Sequence, residues 1–252
     1  MARFIGGVLA ALLLCVPAFT LRAADAKDAK AVLDKAIQAL GGQEKLSNIK
    51  AATWKGKGKI TFNDNDNDFT TQSTVQGLDH FRSEFEGDFG GMQIKGVTVL
   101  AGDKGWRKFG DNSMEMDKDA VANEKRSVYL QVIPMTIVPL RQEGYKTELA
   151  GEQKVGGKDA VGVKVTPPDG KEFTLYFDKE SGLPVKLVAK VVGFQGDEFT
   201  QETTFSDYKE MGGIKKATKS ESKRDGSKFL EVQITEFKVL DKADPKEFTE
   251  PK

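Results

Sequence analysis

The chain has 252 residues with 38 basic and 38 acidic side chains, so its formal net charge is zero. No basic excess is available to neutralise a phosphate backbone, which argues against nucleic-acid binding. Mean hydropathy is −0.43, so the bulk is soluble, and the length suffices for a sizeable core. The 16 Phe favour strands over a helix bundle.

Met1-Ala2-Arg3 is a short basic start, followed by an apolar run from Phe4 to Phe19. Ala24-Asp25-Ala26 fits the small-x-small rule, so residues 1–26 are expected to be a cleaved export signal, with cleavage within about three residues of Ala24. The run is short for a membrane span of about 20 residues, the rival reading being an uncleaved anchor. Cys15 is the only cysteine, and the bulky Leu14 before it argues against a lipidation site. The expected mature chain, residues 27–252, is read as one domain near −1 in charge, with no disulfide or thiolate chemistry.

Residues 27–41 read as a helix ended by Gly41-Gly42, with one more turn possible at residues 43–49. After Lys50 the period falls to two. Trp54 to Phe62 is the first strand, and the Asn-Asp run 63–68 predicts a hairpin tip with return from Phe69 to Leu78. His80–Glu86, Met92–Leu100, Gly105–Phe109 and Ser113–Met116 follow as strands. Residues 117–143 differ: Val121, Lys125, Val128, Tyr129 and Val132 keep helical spacing, and Pro134 and Pro139 are expected to interrupt the helix. Val128 to Leu140 is apolar on most faces and must be covered on most faces, as a lid across a sheet would be.

Alternation resumes at Tyr145–Val155 and continues through Ala160–Thr166, Glu172–Asp178, Leu183–Val192, Glu198–Tyr208, Ile214–Lys223 and Lys228–Leu240. A turn signal separates each pair, the mark of an antiparallel meander. Phe173, Leu175 and Phe177 share one face, as do Leu183, Val185, Leu187, Ala189 and Val191. One apolar face must be covered, and the chain supplies only two helical segments to do it. The fold class is therefore mainly β with some α: a strongly curved antiparallel sheet, covered by an N-terminal helix and a central proline-interrupted helical lid.

Candidate chemistry is sparse. His80, the only histidine, lies in a strand, and no Gly-x-Ser-x-Gly occurs. A zinc site lacks ligands. Asp64, Asp66 and Asp68 alternate like the start of a calcium loop, but Phe69 and Val75 stand where Gly and Glu belong, so a solvated tip is the better reading. Paired-carboxylate catalysis leaves no trace in spacing, and no cofactor is indicated. The remaining candidate is an apolar binding space lined by Trp54, Phe81, Phe85, Met92, Ile94, Trp106, Met114, Met116, Tyr129, Ile133, Met135, Phe173, Leu175 and Phe177. The alternative is a filled core.

Several pieces together resemble the outer-membrane lipoprotein-sorting family of LolA/LolB-like periplasmic carriers. They are Ala36-Ile37-Gln38-Ala39-Leu40-Gly41-Gly42-Gln43-Glu44-Lys45-Leu46, Gly105-Trp106-Arg107-Lys108 with Met114-Glu115-Met116-Asp117, Phe177 to Val185, Phe205 to Lys215, and Val232 to Lys238 closing at Phe248 and Pro251. The resemblance implies an unclosed β-barrel of about eleven strands around a hydrophobic cavity for acyl chains. It also implies a periplasmic, non-enzymatic carrier of a lipid or acylated lipoprotein, the alternative being an envelope protein-interaction module. Carriers of this family control their lid with an arginine; Arg82, Arg107, Arg126 and Arg141 are available, and none is singled out by sequence.

Overall fold

The computed structural model describes residues 19–252 apart from Asn63, Phe194 and Gln195, and side chains from Ala29 onward. Helices α1 (Phe19–Leu40) and α2 (Gln43–Ser47) open the chain. Ala29, Leu33, Ala36, Ile37 and Leu40 are all buried, so α1 lays one stripe on the body. Gly41 and Gly42, at positive φ, donate their N–H groups to the carbonyls of Gln38 and Ile37 and end the helix. The chain is already helical at Phe19, ahead of the expected start at residue 27, since the Leu-Arg-Ala-Ala run at 21–24 consists of good helix formers. Residues 1–18 of the expected leader lie outside the described residues.

Thirteen strands follow. They are β1 (Ala51–Phe62), β2 (Asn65–Gln76), β3 (His80–Phe89), β4 (Met92–Ala101), β5 (Lys104–Phe109) and β6 (Asn112–Glu115). After helix α3 (Lys118–Thr136) and a 3-10 turn at Val138–Arg141 come β7 (Lys146–Val155), β8 (Lys158–Thr166), β9 (Phe173–Asp178) and β10 (Pro184–Val192). The last three are β11 (Glu198–Met211), β12 (Ile214–Arg224) and β13 (Ser227–Leu240), with a second 3-10 turn at Pro245–Phe248. All belong to one sheet in the order β6-β5-β4-β3-β2-β1-β13-β12-β11-β10-β9-β8-β7. Each neighbouring pair is antiparallel, and the sheet is curved and unclosed.

Two meanders therefore meet at β1 and β13, and α3 runs between the two free edges, β6 and β7. A helix of 19 residues spans about 28 Å, enough to cross the hollow side of the sheet. The count is thirteen strands rather than the eleven implied by the resemblance.

Two local expectations are corrected. From Asn65 onward the Asn-Asp run is strand rather than tip: β1 ends at Phe62, β2 starts at Asn65, and Asp64 stands in the turn at φ 60. These residues sit on solvated strand ends, where the ladder hydrogen bonds override weak β-propensity. Pro134 does not break α3, which continues to Thr136. It lies in the last turn, and the helix ends instead at Ile137, held at φ 58, a strained position for a β-branched residue.

The main core fills the space between helices and sheet, joining Leu33 and Ile37 of α1, Val128 and Ile133 of α3, and Leu100, Val163, Leu175, Phe177 and Leu187 of the sheet. A smaller cluster of Ala51, Val99, Ala243 and Phe248 lies on the other face, roofed by the C-terminal segment.

Candidate functional site: the concave face and its cover

Directly opposed residues of an antiparallel pair point to the same face. Starting from the buried pair Phe81 and Leu100, the register carries the concave face to Val75, Ala52 and Val239, and by alternation to Trp54, Phe85, Ile94 and Met92. A bulge between Lys55 and Gly56 keeps Ile234, Val232 and Leu230 on this face opposite Gly56, Gly58 and Ile60.

The helices cover only part of it. Helix α1 packs chiefly on β7, β8 and β12, and α3 on β10 and β4. Under α3, Val128, Ile133, Leu100 and Leu175 are 0% exposed, so no water-sized space touches them. Of the expected lining residues, Phe81, Met116, Ile133, Met135, Phe173, Leu175 and Phe177 are packed into this core, with Trp54 and Tyr129 half-buried against it. Trp54 meets Phe81 at 6.3 Å, and Tyr129 meets Phe173 edge-on at 5.6 Å. Burial pushes the Tyr129 hydroxyl pKa far above its ordinary value.

Beyond the helices the same face is open. Phe62, Met92 and Met114 are 52%, 67% and 58% exposed. Ile60, Phe69, Phe85, Phe89, Ile94 and Phe109 beside them are half-buried. Phe62 pairs with Phe89 at 6.4 Å and Phe85 with Phe109 at 6.2 Å. Gly96 lies directly across from both Phe85 and Phe109, and a Cβ there would collide with the Phe85 ring. Gly58 and Gly87 lie directly across from Phe69, and a Cβ at either would come within 3.0 Å of its side chain. Rings laid over cross-strand glycines make a low, flat apolar floor. Thus Phe85, Met92, Ile94 and Met114 come together in this trough, apart from the packed group. Trp106 joins neither: it lies on the convex face against the Val99 and Phe248 cluster. Sequence reasoning missed Phe62, Phe69, Phe89 and Phe109; the signal was a Phe standing across a predicted hairpin from a Gly.

The cover is tied down by few polar contacts. Arg107 of β5 pairs with Glu124 of α3 at 3.1 Å, and Lys125 with Asp103 at 2.6 Å. Arg126, 7% exposed, donates from Nη2 to the Glu172 carbonyl at 2.9 Å and lies over the Phe173 ring. Its Nε and Nη1, and the Thr136 hydroxyl, are buried without a partner among the described residues. Burial lowers the Arg126 pKa. Arg141 pairs with Asp34 of α1, whereas Arg82 is spent on Glu84 and Glu247 away from the cover. Three of the four arginines thus hold the cover, each to a different element.

The other candidates lie apart from the trough. His80 bonds Asp79 at 2.8 Å and touches the Phe248 ring. Asp66 accepts from Lys228 and Thr61, which lowers its pKa, and Asp68 faces Lys59. No group of three metal-ligating side chains occurs among the described residues. A groove of about 630 Å³ is edged by Lys57, Lys59, Asp68, Glu86, Asp88 and Glu231 and shares Gly58, Phe69 and Gly87 with the trough floor. No described helix is long and apolar enough to cross a membrane.

No family model and no curated protein matches the sequence. Solved structures do. A LolA superfamily protein from Nitrosomonas europaea aligns over 88% of this chain and 97% of its own, at TM-score 0.57 and 10% identity. A DUF1329 family protein from Desulfovibrio piger covers the same shares at TM-score 0.53 and 14% identity. An outer membrane lipoprotein-sorting protein domain from Vibrio parahaemolyticus aligns over 86% of this chain and 97% of its own, at TM-score 0.52 and 12% identity. The chain has the LolA-like fold at a sequence identity of 10–14%.

Proposed function

We propose that this protein is a periplasmic carrier that holds the acyl chains of a lipid or lipid-modified protein on the concave face of its sheet. The observation that carries the reading is the open trough, where Phe62, Met92 and Met114 stand exposed in continuity with the half-buried rings of Phe85, Phe89 and Phe109. Soluble proteins seldom leave a contiguous apolar surface of this kind without an occupant. An acyl chain on the trough would gain about 25 cal/mol per Å² of apolar surface removed from water.

Helix α3 is the natural gate. It carries buried unpartnered donors and a strained C-terminal residue, each of which lowers the cost of moving it. Its displacement would extend the trough onto Phe81, Phe173 and Leu175. The similarity of fold to the lipoprotein-sorting domain agrees with this reading, as does the expected export signal.

The test is native mass spectrometry of protein purified from the cell envelope, together with titration by an apolar fluorescent dye. Co-purified lipid and a saturable dye signal competed by fatty acid are expected; the absence of both refutes the proposal. A second reading, an envelope interaction module with no ligand, draws support from the tight packing beneath α3. It predicts no competition by fatty acid.

A further inference from the structure

Arg224 ends β12 beside the Asp225-Gly226 turn. It lies opposite Gln201 of β11, which is opposite the buried Ala189, so its guanidinium belongs to the concave face. Toward the trough its neighbours on that face are Thr203, Ser222, Leu230, Ile60 and Phe62, none of them charged. The guanidinium carbon stands 3.5 Å from the centre of the Phe229 ring and 5.2 Å from that of Phe199. Nε donates to Gln201 Oε1 at 3.1 Å. Among the described residues Arg224 has no other hydrogen bond and no ion pair.

This sets it apart from Arg82, Arg107 and Arg141, each of which has a carboxylate. The acids nearest in sequence are committed elsewhere: Asp225 accepts the Thr200 N–H, and Glu198 pairs with Lys190. Rings against its faces leave a guanidinium's in-plane N–H groups outward, in the fork that matches the two oxygens of a phosphate or carboxylate. Partial burial has also removed water from the cation, which lowers its pKa, and an incoming oxyanion would restore the lost partners.

We propose that Arg224 is the headgroup subsite of the trough, binding the phosphate or carboxylate of an anionic amphiphile whose tail lies on the phenyl rings. The inference rests on the acyl-carrier reading and narrows it to anionic ligands. Three probes separate the possibilities: 1-lauroyl lysophosphatidic acid, its uncharged counterpart 1-lauroylglycerol, and glycerol 3-phosphate, the headgroup without a tail. Calorimetry below the micellar concentration is expected to give about tenfold tighter binding of the phosphate lipid than of the neutral one. Glycerol 3-phosphate alone is expected to give no measurable heat. Arg224→Gln should abolish the preference, and Arg224→Lys should restore part of it. Unchanged thermal unfolding of each variant serves as the folding control. If both lipids bind and Arg224→Gln leaves the preference intact, the subsite is refuted and the carrier stands. If glycerol 3-phosphate binds as tightly as the lipid, the site is one for free phosphate and the proposal falls. If neither lipid binds, the carrier reading falls and this inference with it.

Discussion

Strand β4 passes through both halves of the concave face, and its two ends have opposite fates. Leu100 is 0% exposed under α3, while Met92, eight residues earlier on the same face, is 67% exposed. Both are apolar, both are in strand, and both are followed by alternating neighbours. What separates them is helix supply. The strands of the central sheet run to 14 residues, whereas α1 and α3 cover β7, β8, β10, β12 and only one end of β4. A sheet longer than its cover must either finish its far end with polar residues or leave it apolar. Here it is left apolar and floored with rings over glycines. The comparison teaches that stability resides in the covered half, and the proposed carrier reading places recognition in the open one.

The sharpest way to break that division is to cut into the covered half. Leu175 is fully buried among Val163, Leu187 and α3. Leu175→Ala is expected to cost about 2–5 kcal/mol, the removed contacts plus the cavity left behind. Urea denaturation followed by circular dichroism measures it; a loss below half a kcal/mol would mean that the space beneath α3 is not close-packed.

A smaller effect is expected where the trough floor begins. Gly96→Val places a branched side chain where the Phe85 ring lies, costing about 1–3 kcal/mol by overpacking. It should also reduce dye binding, since Phe85 must rotate off the floor toward Phe109. Retained stability and retained dye binding together would show that the glycine is incidental.

Next comes the boundary between the halves, where Lys216 lies 5.9 Å above the ring of Phe237 with no ion pair among the described residues. Burial pushes its pKa down to about 8 from 10.5. Between these values the unfolded chain binds the extra proton, so stability rises with pH across that window. Below about pH 8 the cost of the buried charge is carried in full. Lys216→Met is expected to add about 1–2 kcal/mol at pH 7, the half-buried position recovering only part of the full shift, and to flatten the curve. Denaturation midpoints at pH 7, 8.5 and 10 decide it: parallel curves for the two proteins would remove Lys216 from the account.

Much of this division could be read from sequence, and the unread part has a physical cause. The alternating runs and turn signals correspond one for one to the thirteen strands, because each strand carries its own period of two and its own turn chemistry. The end of α1 at Gly41-Gly42 was legible for the same local reason. What alternation cannot give is how far along a strand a helix reaches. Phe81 and Phe85 look alike in sequence, yet one is core and the other floor. Nor can it say which face is hollow: Trp106 alternates as well as any residue and points the other way. The open half was legible only through pairing, in the Gly96 opposite Phe85 and the Gly58 opposite Phe69. Arg224 was invisible for a further reason. Its meaning lies in a missing acid, and a missing partner leaves no mark on a sequence.

The smallest effect on stability is expected at the open end itself, and there the comparison is tested most directly. Phe62 and Met92 already face water, so Phe62→Ser and Met92→Ser remove little buried surface and should each change stability by less than about 0.5 kcal/mol. They are also strand residues at solvated ends, where propensity differences are small. Binding should respond in the opposite sense. If the trough holds an acyl chain, removing these side chains deletes contact area that only the bound ligand covers, and each variant should weaken dodecanoate binding severalfold while unfolding as the parent does. Dye displacement beside urea denaturation gives both readings on one sample. Binding untouched by the pair, while Leu175→Ala abolishes it, would move the ligand from the open half into the covered one and make α3 a true lid over the site rather than a gate beside it.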